Sequence, residues 1–172
     1  MAANLKRIKW ILMDVDGVLS DGRISYSSSG DEIKSFHAHD GQGIVLAHQA
    51  GLLTGIITGR HSPMVQRRAQ ELGIDFFREG VSSKFPVFRD FLAEYHLQTD
   101  QVCYIGDDLP DLGVLKNVGF SVAVADARDE VKAICDYVTI ANGGMGAVRE
   151  VIDKILKGQK KLQPLVDSFS VT

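Results

Sequence analysis

The sequence has few of the features that mark several large classes of protein. Only two cysteines occur, Cys103 and Cys135, and they form no CxxC or Cys/His pair with metal-ligand spacing. We therefore expect two reduced, buried thiols in a cytoplasmic protein. Basic residues number 19 against 22 acidic ones, so the chain lacks the basic excess of a nucleic-acid-binding protein. Long apolar runs are also missing. The run from Trp10 to Met13 is too short for a secretory signal or a membrane span, and we expect neither nucleic acid nor membrane as a partner.

Length and composition instead indicate one globular domain that binds a small molecule. The chain has 172 residues, of which 45% are hydrophobic and 24% charged, with a net charge of −3. A chain of this size forms one domain with a substantial core. We predict a single domain over 1–172 that ends in a flexible tail over 159–172.

Short apolar runs alternate with segments of helical periodicity. The largely apolar runs, typical of strands buried on both faces, are 8–13, 53–57, 102–105, 120–123 and 137–140. The helical segments, each ending at a glycine, are 62–73, 108–119 and 146–158. This order predicts an α/β fold, a doubly wound (Rossmann-like) parallel sheet with helices on both faces. The Ser-Ser-Ser-Gly-Asp turn within 23–36 predicts a small β-hairpin inserted after the first strand.

Polar residues follow three of these strands and open one helix. Ligands of an open parallel sheet bind beyond the carboxyl ends of its strands, so we expect these side chains to share one crevice. In chain order they are Asp14, Asp16, Thr58, Gly59, Arg60, Lys84, Asp107, Asp108 and Asp111.

The residue types in this crevice predict phosphoryl chemistry with a metal ion. Several ionised carboxylates at close range repel one another unless a cation joins them, and oxygen-only ligands favour Mg²⁺. The hydroxyl of Thr58, the backbone at Gly59 and the ammonium of Lys84 suit phosphate oxygens. One aspartate of the first pair can then attack the phosphorus atom, while the other donates a proton and later activates water.

The same segments resemble the haloacid dehalogenase superfamily of phosphatases. Four segments match its ordered motifs, namely DVDGVLSDG (14–22), IITGR (56–60), Lys84 and YIGDDLPDLGVL (104–115). With only the small hairpin inserted, the chain has no cap domain and is similar to the capless subfamily. Three further segments resemble capless enzymes that act on the 8-phosphate of an eight-carbon sugar acid, namely FHAHDGQGI (36–44), VAVADARDEV (122–131) and GGMGAVREVI (143–152).

This resemblance implies a role for each matching residue. It implies Asp14 as nucleophile and Asp16 as acid/base. It implies phosphate binding by Thr58, Gly59 and Lys84. It implies a Mg²⁺ site formed by Asp14, the Asp16 carbonyl and Asp107, supported by Asp108 and Asp111. The implied sugar contacts are Asp16, His37, Ala38, His39, Asp40, Gly41, Arg60 and Arg68. It also implies a homotetramer whose hairpins assemble together and whose tails can fold over neighbouring sites.

Three other functions stay open at this point. A phosphatase for a related nine-carbon sugar acid 9-phosphate would use the same fold, and His39, Val45 and Met145 stand where the resembling enzymes often carry cations. A phosphoacceptor signalling domain also combines Mg²⁺, threonine and lysine, but there the lysine comes last in the chain, whereas Lys84 precedes the second acidic cluster. The third alternative is a non-catalytic assembly domain.

Overall fold

The computed structural model describes residues 3–170. Its strands are β1 Trp10–Met13, β2 Ser25–Tyr26, β3 Glu32–Ile33, β4 Leu53–Ile57, β5 Phe76–Arg78, β6 Val102–Gly106, β7 Phe120–Ala123 and β8 Tyr137–Val138. Its α-helices are α1 Ala38–Gln49, α2 Pro63–Leu72, α3 Lys84–Glu94, α4 Leu112–Leu115, α5 Asp129–Lys132, α6 Ala147–Gly158 and α7 Leu162–Ser168. Single turns of 3₁₀ helix cover Leu5–Arg7, Thr99–Gln101 and Leu109–Asp111. Among the helices within 3–170, none is long and apolar enough to cross a membrane.

Six strands form one parallel sheet in the order β5-β4-β1-β6-β7-β8. The chain runs outward from β1 in one direction and then, from β6, in the other, so the sheet is doubly wound as predicted. Met13, the last residue of β1, pairs with Ile56 of β4 and Ile105 of β6. The carboxyl ends of the three central strands are therefore level, and the point where the winding reverses lies between them.

The central strand is buried on both of its faces. Every residue of β1 is at most 3% exposed. Since successive strand residues point to opposite faces, this burial means that helices cover both sides of the sheet. Trp10 packs edge-on against Phe91 of α3, with ring centroids 4.9 Å apart. The rest of the core is also apolar, which explains why largely apolar runs identified the strands.

The segment after β1 forms a small antiparallel hairpin of β2 and β3. Ser25 pairs with Ile33, and Tyr26 pairs with Glu32. The connecting loop closes through a bond from the Ser27 amide to the Asp31 carbonyl, 2.9 Å. Three apolar side chains of this segment are exposed, Ile24 by 51%, Tyr26 by 63% and Ile33 by 51%. The pairing places Tyr26 on the face of Glu32 and Ile33 on the face of Ser25.

Several element boundaries differ from the sequence prediction. The first strand begins at Trp10 rather than at Ile8, and the last ends at Val138 rather than at Ile140. In the predicted helix over 108–119, a 3₁₀ turn with Pro110 at its start precedes α4, so the α-helix has only four residues. The sequence patterns above predict none of α1, α5 and β5.

The segment expected to be a flexible tail contains a helix instead. Residues 162–168 form α7, and Leu162 and Leu165 pack against the core. The Lys161 ammonium also donates to the Ala50 carbonyl, 2.8 Å away. The apolar side chains of the tail explain the difference, since they bury surface when the helix lies on the domain. Its last two residues lie outside the described part of the chain.

Candidate active site

A cavity of about 400 Å³ lies at the carboxyl ends of β1 and β4. Its lining residues are Asp14, Asp16, Thr58, Gly59, Arg60, Val81, Ser82, Ser83, Lys84 and Pro110. The structure thus brings together the aspartate pair, the Thr-Gly-Arg segment and the lysine that the sequence analysis placed in one crevice.

Lys84 joins two of the acidic residues beneath this cavity. Its ammonium lies 2.9 Å from Asp14 Oδ2 and 2.7 Å from Asp111 Oδ1. Lys84, the first residue of α3, is 4% exposed. Burial by itself lowers the pKa of the ammonium, but the charges of Asp14 and Asp111 outweigh burial and hold the pKa above its ordinary value. Lys84 is therefore a cation at neutral pH.

Asp111 fixes the loop of residues 107–111, which follows β6. Besides Lys84, its Oδ1 accepts a hydrogen bond from the Tyr104 hydroxyl at 2.7 Å. Its Oδ2 accepts from the backbone amides of Asp107 at 3.1 Å and Asp108 at 3.3 Å. The Asp111 side chain is fully buried by these partners. Both oxygens of Asp111 are therefore engaged by other groups of the protein. Asp108 is also engaged locally, because its Oδ1 caps the next helical turn through the Leu109 amide at 2.7 Å.

The donor set at this edge of the sheet fits a hard divalent cation. Carboxylate oxygens of Asp14, Asp107 and Asp111 all lie within 4.8 Å of one another. Asp107 Oδ1 is buried and has no hydrogen-bond partner among the described residues. Gly17, with φ of +91°, faces the same carboxylate, and a Cβ there would collide with it. Mg²⁺ prefers oxygen ligands, carboxylates above all. The Asp107 oxygen, which lies among carboxylates, therefore fits a Mg²⁺ ligand.

Two of these carboxyls have pKa values well above the ordinary 3.8. Burial and then the charge of Asp14 raise the pKa of Asp107 to about 8. Burial raises the pKa of Asp14 to about 6; Lys84 opposes this rise and Asp111 adds to it. Both pKa values mean that the fold disfavours the ionised carboxylates, chiefly because these groups are buried, and a bound cation would stabilise the ionised forms.

Asp16 lies in a different environment from Asp14, although only one residue separates them. The positive φ of Gly17 turns the chain directly after Asp16. Asp16 Oδ1 accepts from the Ser20 hydroxyl at 3.3 Å and from the Lys34 ammonium, while Oδ2 lies 3.7 Å from Arg60 Nε. The two carboxylates are therefore available for different tasks.

The loop that carries Thr58 and Gly59 is tied to the neighbouring loop after β5. The Thr58 amide donates to the Arg78 carbonyl at 2.9 Å, and the Val81 amide donates to the Thr58 carbonyl at 3.2 Å. Thr58 is 3% exposed. Both the Thr58 side chain and the Gly59 backbone thus face the cavity from a braced loop.

The histidine segment predicted to contact the sugar lies at the start of α1, outside the lining of this cavity. His37 caps the helix, since its Nδ1 accepts from the His39 amide at 3.2 Å. Ala38 and His39 are exposed in the first turn. Asp40 is 1% exposed, and its carboxylate accepts from the backbone of α6, from the Arg149 amide at 2.8 Å.

The remaining two predicted sugar contacts face each other beside that segment. The Arg68 guanidinium lies so close to Gly41 that a Cβ on residue 41 would collide with it. Arg68 also lies over the Phe36 ring at 5.9 Å and 3.3 Å from a Glu71 carboxylate oxygen. Within one chain, therefore, Arg60 lines the cavity and Arg68 does not.

Besides the cavity-lining Val81, Ser82, Ser83 and Pro110, three charged or polar residues of the site escaped the sequence analysis. Lys34 and Glu32 reach it from the hairpin, and Ser62 donates to Glu32 from the start of α2. One signal could have found the first two. Glu32 and Lys34 flank the exposed Ile33, so the alternation of the hairpin directs them to the opposite side from Ile33.

Comparison with known proteins gives consistent results. The model of the haloacid dehalogenase-like hydrolase family matches residues 78–152. The 3-deoxy-D-manno-octulosonate 8-phosphate phosphatase KdsC of Escherichia coli (strain K12) is 44% identical over 160 residues, which cover 93% of this chain and 85% of that protein.

Solved structures agree in fold over nearly the whole chain. The 3-deoxy-D-manno-octulosonate 8-phosphate phosphatase of Moraxella catarrhalis, in complex with magnesium ion, phosphate ion and a KDO molecule, has a TM-score of 0.94 and 42% identity, with 96% of this chain and 95% of that one covered. The cobalt-bound enzyme of Haemophilus influenzae has a TM-score of 0.88 and 42% identity, with 92% of each chain covered. The chain therefore belongs to the haloacid dehalogenase-like hydrolases, in the family of the 3-deoxy-D-manno-octulosonate 8-phosphate phosphatases.

Proposed function

We propose that this protein is a Mg²⁺-dependent phosphatase that hydrolyses 3-deoxy-D-manno-octulosonate 8-phosphate (KDO 8-phosphate) to KDO and inorganic phosphate. The single observation that carries the proposal is the cluster of Asp14, Lys84 and the unpartnered Asp107 oxygen at the end of the central strand. The relatives supply the substrate, since the Moraxella catarrhalis and Escherichia coli proteins of that name are 42% and 44% identical to this chain.

In the first half-reaction, Asp14 is the nucleophile. One of its carboxylate oxygens attacks the phosphorus atom, a bond forms between that oxygen and phosphorus, and the bond from phosphorus to the sugar oxygen breaks. Asp16 gives its proton to the departing sugar oxygen. Lys84 and the Thr58-Gly59 segment hold the phosphoryl oxygens while negative charge spreads over them.

In the second half-reaction, water replaces the sugar. Asp16, now ionised, accepts a proton from a water molecule that attacks the phosphorus atom of the aspartyl-phosphate. The bond between phosphorus and the Asp14 oxygen breaks, which restores the Asp14 carboxylate and releases phosphate. The separation of the two environments fits these roles, because Asp14 pairs with Lys84 and Asp16 pairs with cations of the hairpin and the Arg60 loop.

Asp14, Asp107 and the Asp16 carbonyl would hold Mg²⁺ at the cluster. When bound, the ion neutralises charge on the phosphoryl group and on the nearby carboxylates. Asp111 would keep the loop that carries Asp107 in position, through its bonds to the amides of Asp107 and Asp108.

Arg60 is the residue we propose for the carboxylate of the sugar acid. It lines the cavity, and its Nε is buried without a hydrogen-bond partner among residues 3–170. Its Nη2 donates to Glu32 at 3.2 Å. Arg149 does not line this cavity and pairs with Asp153 at 2.8 Å. A guanidinium is suited to a carboxylate because its planar fork can bind both oxygens. We propose that the His37–Gly41 segment and Arg68 contribute to binding where subunits meet.

Phosphate release from a panel of substrates tests the function. The panel contains KDO 8-phosphate, a nine-carbon sugar acid 9-phosphate, a hexose 6-phosphate and p-nitrophenyl phosphate, each with Mg²⁺ and with EDTA. We expect Mg²⁺-dependent hydrolysis with KDO 8-phosphate preferred, and none by Asp14→Asn. Preference for the nine-carbon substrate would instead support the alternative function, a phosphatase for a nine-carbon sugar acid 9-phosphate. No release from any substrate would favour a non-catalytic domain.

We further propose a cytoplasmic homotetramer that acts in lipopolysaccharide biosynthesis. The exposed apolar side chains of the hairpin support assembly, because a concentration of such side chains on a small projecting element is typical of a protein interface. Light scattering after gel filtration measures the mass directly. A mass of four chains is expected, and a monomer at micromolar concentration would contradict the assembly.

A further inference from the structure

The hairpin buries a lysine that the mechanism above does not use. The side chain of Lys34, the residue directly after β3, is 1% exposed. Its ammonium donates to Asp16 Oδ1 and lies 3.6 Å from Glu32 Oε1. Lysine is almost never this buried without partners, and here both partners are carboxylates. The contact joins residues that are 18 positions apart in the chain.

We propose that Lys34 is a positioning residue that fixes the orientation of the Asp16 carboxyl, so that the hairpin acts on catalysis within its own chain. The inference rests on the proposed role of Asp16 as acid/base. With Oδ1 held by Lys34, Oδ2 lies on the side of Arg60, 3.7 Å from its Nε and at the cavity. An acid/base must come within about 2.6–3.2 Å of its proton partner, and a carboxyl that rotates freely meets this condition only part of the time.

Glu32 gives this lysine a rigid support. Its carboxylate accepts from the Ser62 hydroxyl and from Arg60 Nη2, the latter at 3.2 Å, and its side chain is 14% exposed. Ser62 is the N-cap of α2 and is 1% exposed. The hairpin is therefore joined to the loop after β4 through one ion-pair network, which holds Lys34 where it meets Asp16.

A double-mutant cycle tests whether Lys34 acts through Asp16. The variants are Lys34→Met, Asp16→Asn and the combination, with kcat and KM measured for KDO 8-phosphate and Mg²⁺. For Lys34→Met we expect kcat to fall roughly 10- to 100-fold, the effect of losing a hydrogen bond to a charged group, with KM nearly unchanged. In the Asp16→Asn background, Lys34→Met should produce no further fall in kcat. An equal fold decrease in both backgrounds, or no decrease in the parent enzyme, would overturn the proposal.

Two controls separate positioning from folding. Inhibition by orthovanadate reports on the phosphate site of Asp14, Thr58 and Lys84, so we expect Lys34→Met to keep the parent inhibition constant. Loss of vanadate binding would mean that Lys34 supports the whole site and would also overturn the proposal. Arg23→Met is the matched variant, since it removes a cation of the same segment whose side chain is 85% exposed, and we expect unchanged kcat.

The outcomes also distinguish this inference from the function on which it rests. If the parent enzyme releases no phosphate, or if Asp16→Asn turns over at the parent rate, the proposed function or its acid/base fails. If the parent enzyme is active, Asp16→Asn is impaired and Lys34→Met is not, only the role of Lys34 fails.

Discussion

Replacement of Asp107 by Asn should make the metal-free protein more stable and the enzyme inactive. The Asp107 carboxyl lies in the cluster with Asp14 and Asp111, and its Oδ1 has no partner among the described residues. Burial and the charge of Asp14 raise its pKa from 3.8 to about 8. Above pH 8 the folded, metal-free protein therefore holds an ionised carboxylate where the fold disfavours it. An amide of the same shape carries no such charge.

The size of the effect follows from this pKa. At about 1.4 kcal/mol for each pKa unit, the difference between the ordinary pKa of 3.8 and the folded-state pKa of about 8 corresponds to about 6 kcal/mol. Because the side chain is partly exposed, solvent screening reduces this figure, and we expect a gain of about 2–3 kcal/mol for Asp107→Asn. The sign depends on pH. A carboxyl with a raised pKa contributes stability below pH 3.8 and loses that contribution as the pH rises through about 8. The gain should therefore be largest above pH 8 and small near pH 4.

Urea unfolding in EDTA at pH 5 and at pH 8.5 measures the difference in unfolding free energy between parent and variant. The parent should regain stability when Mg²⁺ is added, and Asp107→Asn should not, since a ligand that binds only the native state stabilises it by an amount that grows with the logarithm of its concentration divided by its dissociation constant. Phosphate release by the variant should be lost. A variant that is less stable than the parent at pH 8.5 in EDTA would refute the reasoning, and so would Mg²⁺-dependent turnover at the parent rate.

Three further predictions concern other parts of the molecule. Lys84→Met leaves Asp111 buried without its cation, so it should lower the unfolding free energy by about 3–5 kcal/mol in urea and abolish turnover; an unchanged urea midpoint would contradict the ion pair. Asp40→Ala removes the acceptor for two amides at the start of α6, Gly146 at 3.2 Å and Arg149 at 2.8 Å, and should cost about 1–2 kcal/mol by the same assay; no loss would mean that water replaces the cap. Deletion of 160–172 removes α7 and should lower the melting temperature because Leu162 and Leu165 no longer cover the core; it should also slow product release if the tail reaches a neighbouring site, and unchanged turnover would contradict that role.

The sheet and the central part of the site were predictable from the sequence. Strand β1 is buried on both faces, so all four of its residues are apolar, and such an apolar run is visible in the sequence itself. The rule that ligands bind at the carboxyl ends of parallel strands then placed Asp14, Thr58, Lys84 and Asp107 together without any knowledge of tertiary contacts.

The elements that were missed lack such a local pattern. Strand β5 has only three residues and owes its conformation to pairing with β4. Helix α1 contains Gly41 and Gly43, which disfavour a helix, yet both glycines allow close packing. A Cβ on residue 43 would lie 3.1 Å from the Arg149 Cα.

The hydrogen-bond partners of the site depend on contacts between distant parts of the chain. Asp40 accepts from residues more than 100 positions away, so nothing near it in sequence identifies it as a helix cap. Lys34 and Asp16 are 18 positions apart, so nothing near either residue in sequence predicts their pairing. Periodicity describes which face of an element is buried, but it does not describe which polar groups meet across elements.

The central claim is that Asp14 carries the phosphoryl group during turnover. Borohydride added while the enzyme hydrolyses KDO 8-phosphate with Mg²⁺ reduces an aspartyl-phosphate to homoserine, and peptide mass spectrometry locates the modified residue. We predict homoserine at position 14, in amounts that require both substrate and Mg²⁺. Rapid turnover with residue 14 unmodified, or modification at position 16 in its place, would contradict the account.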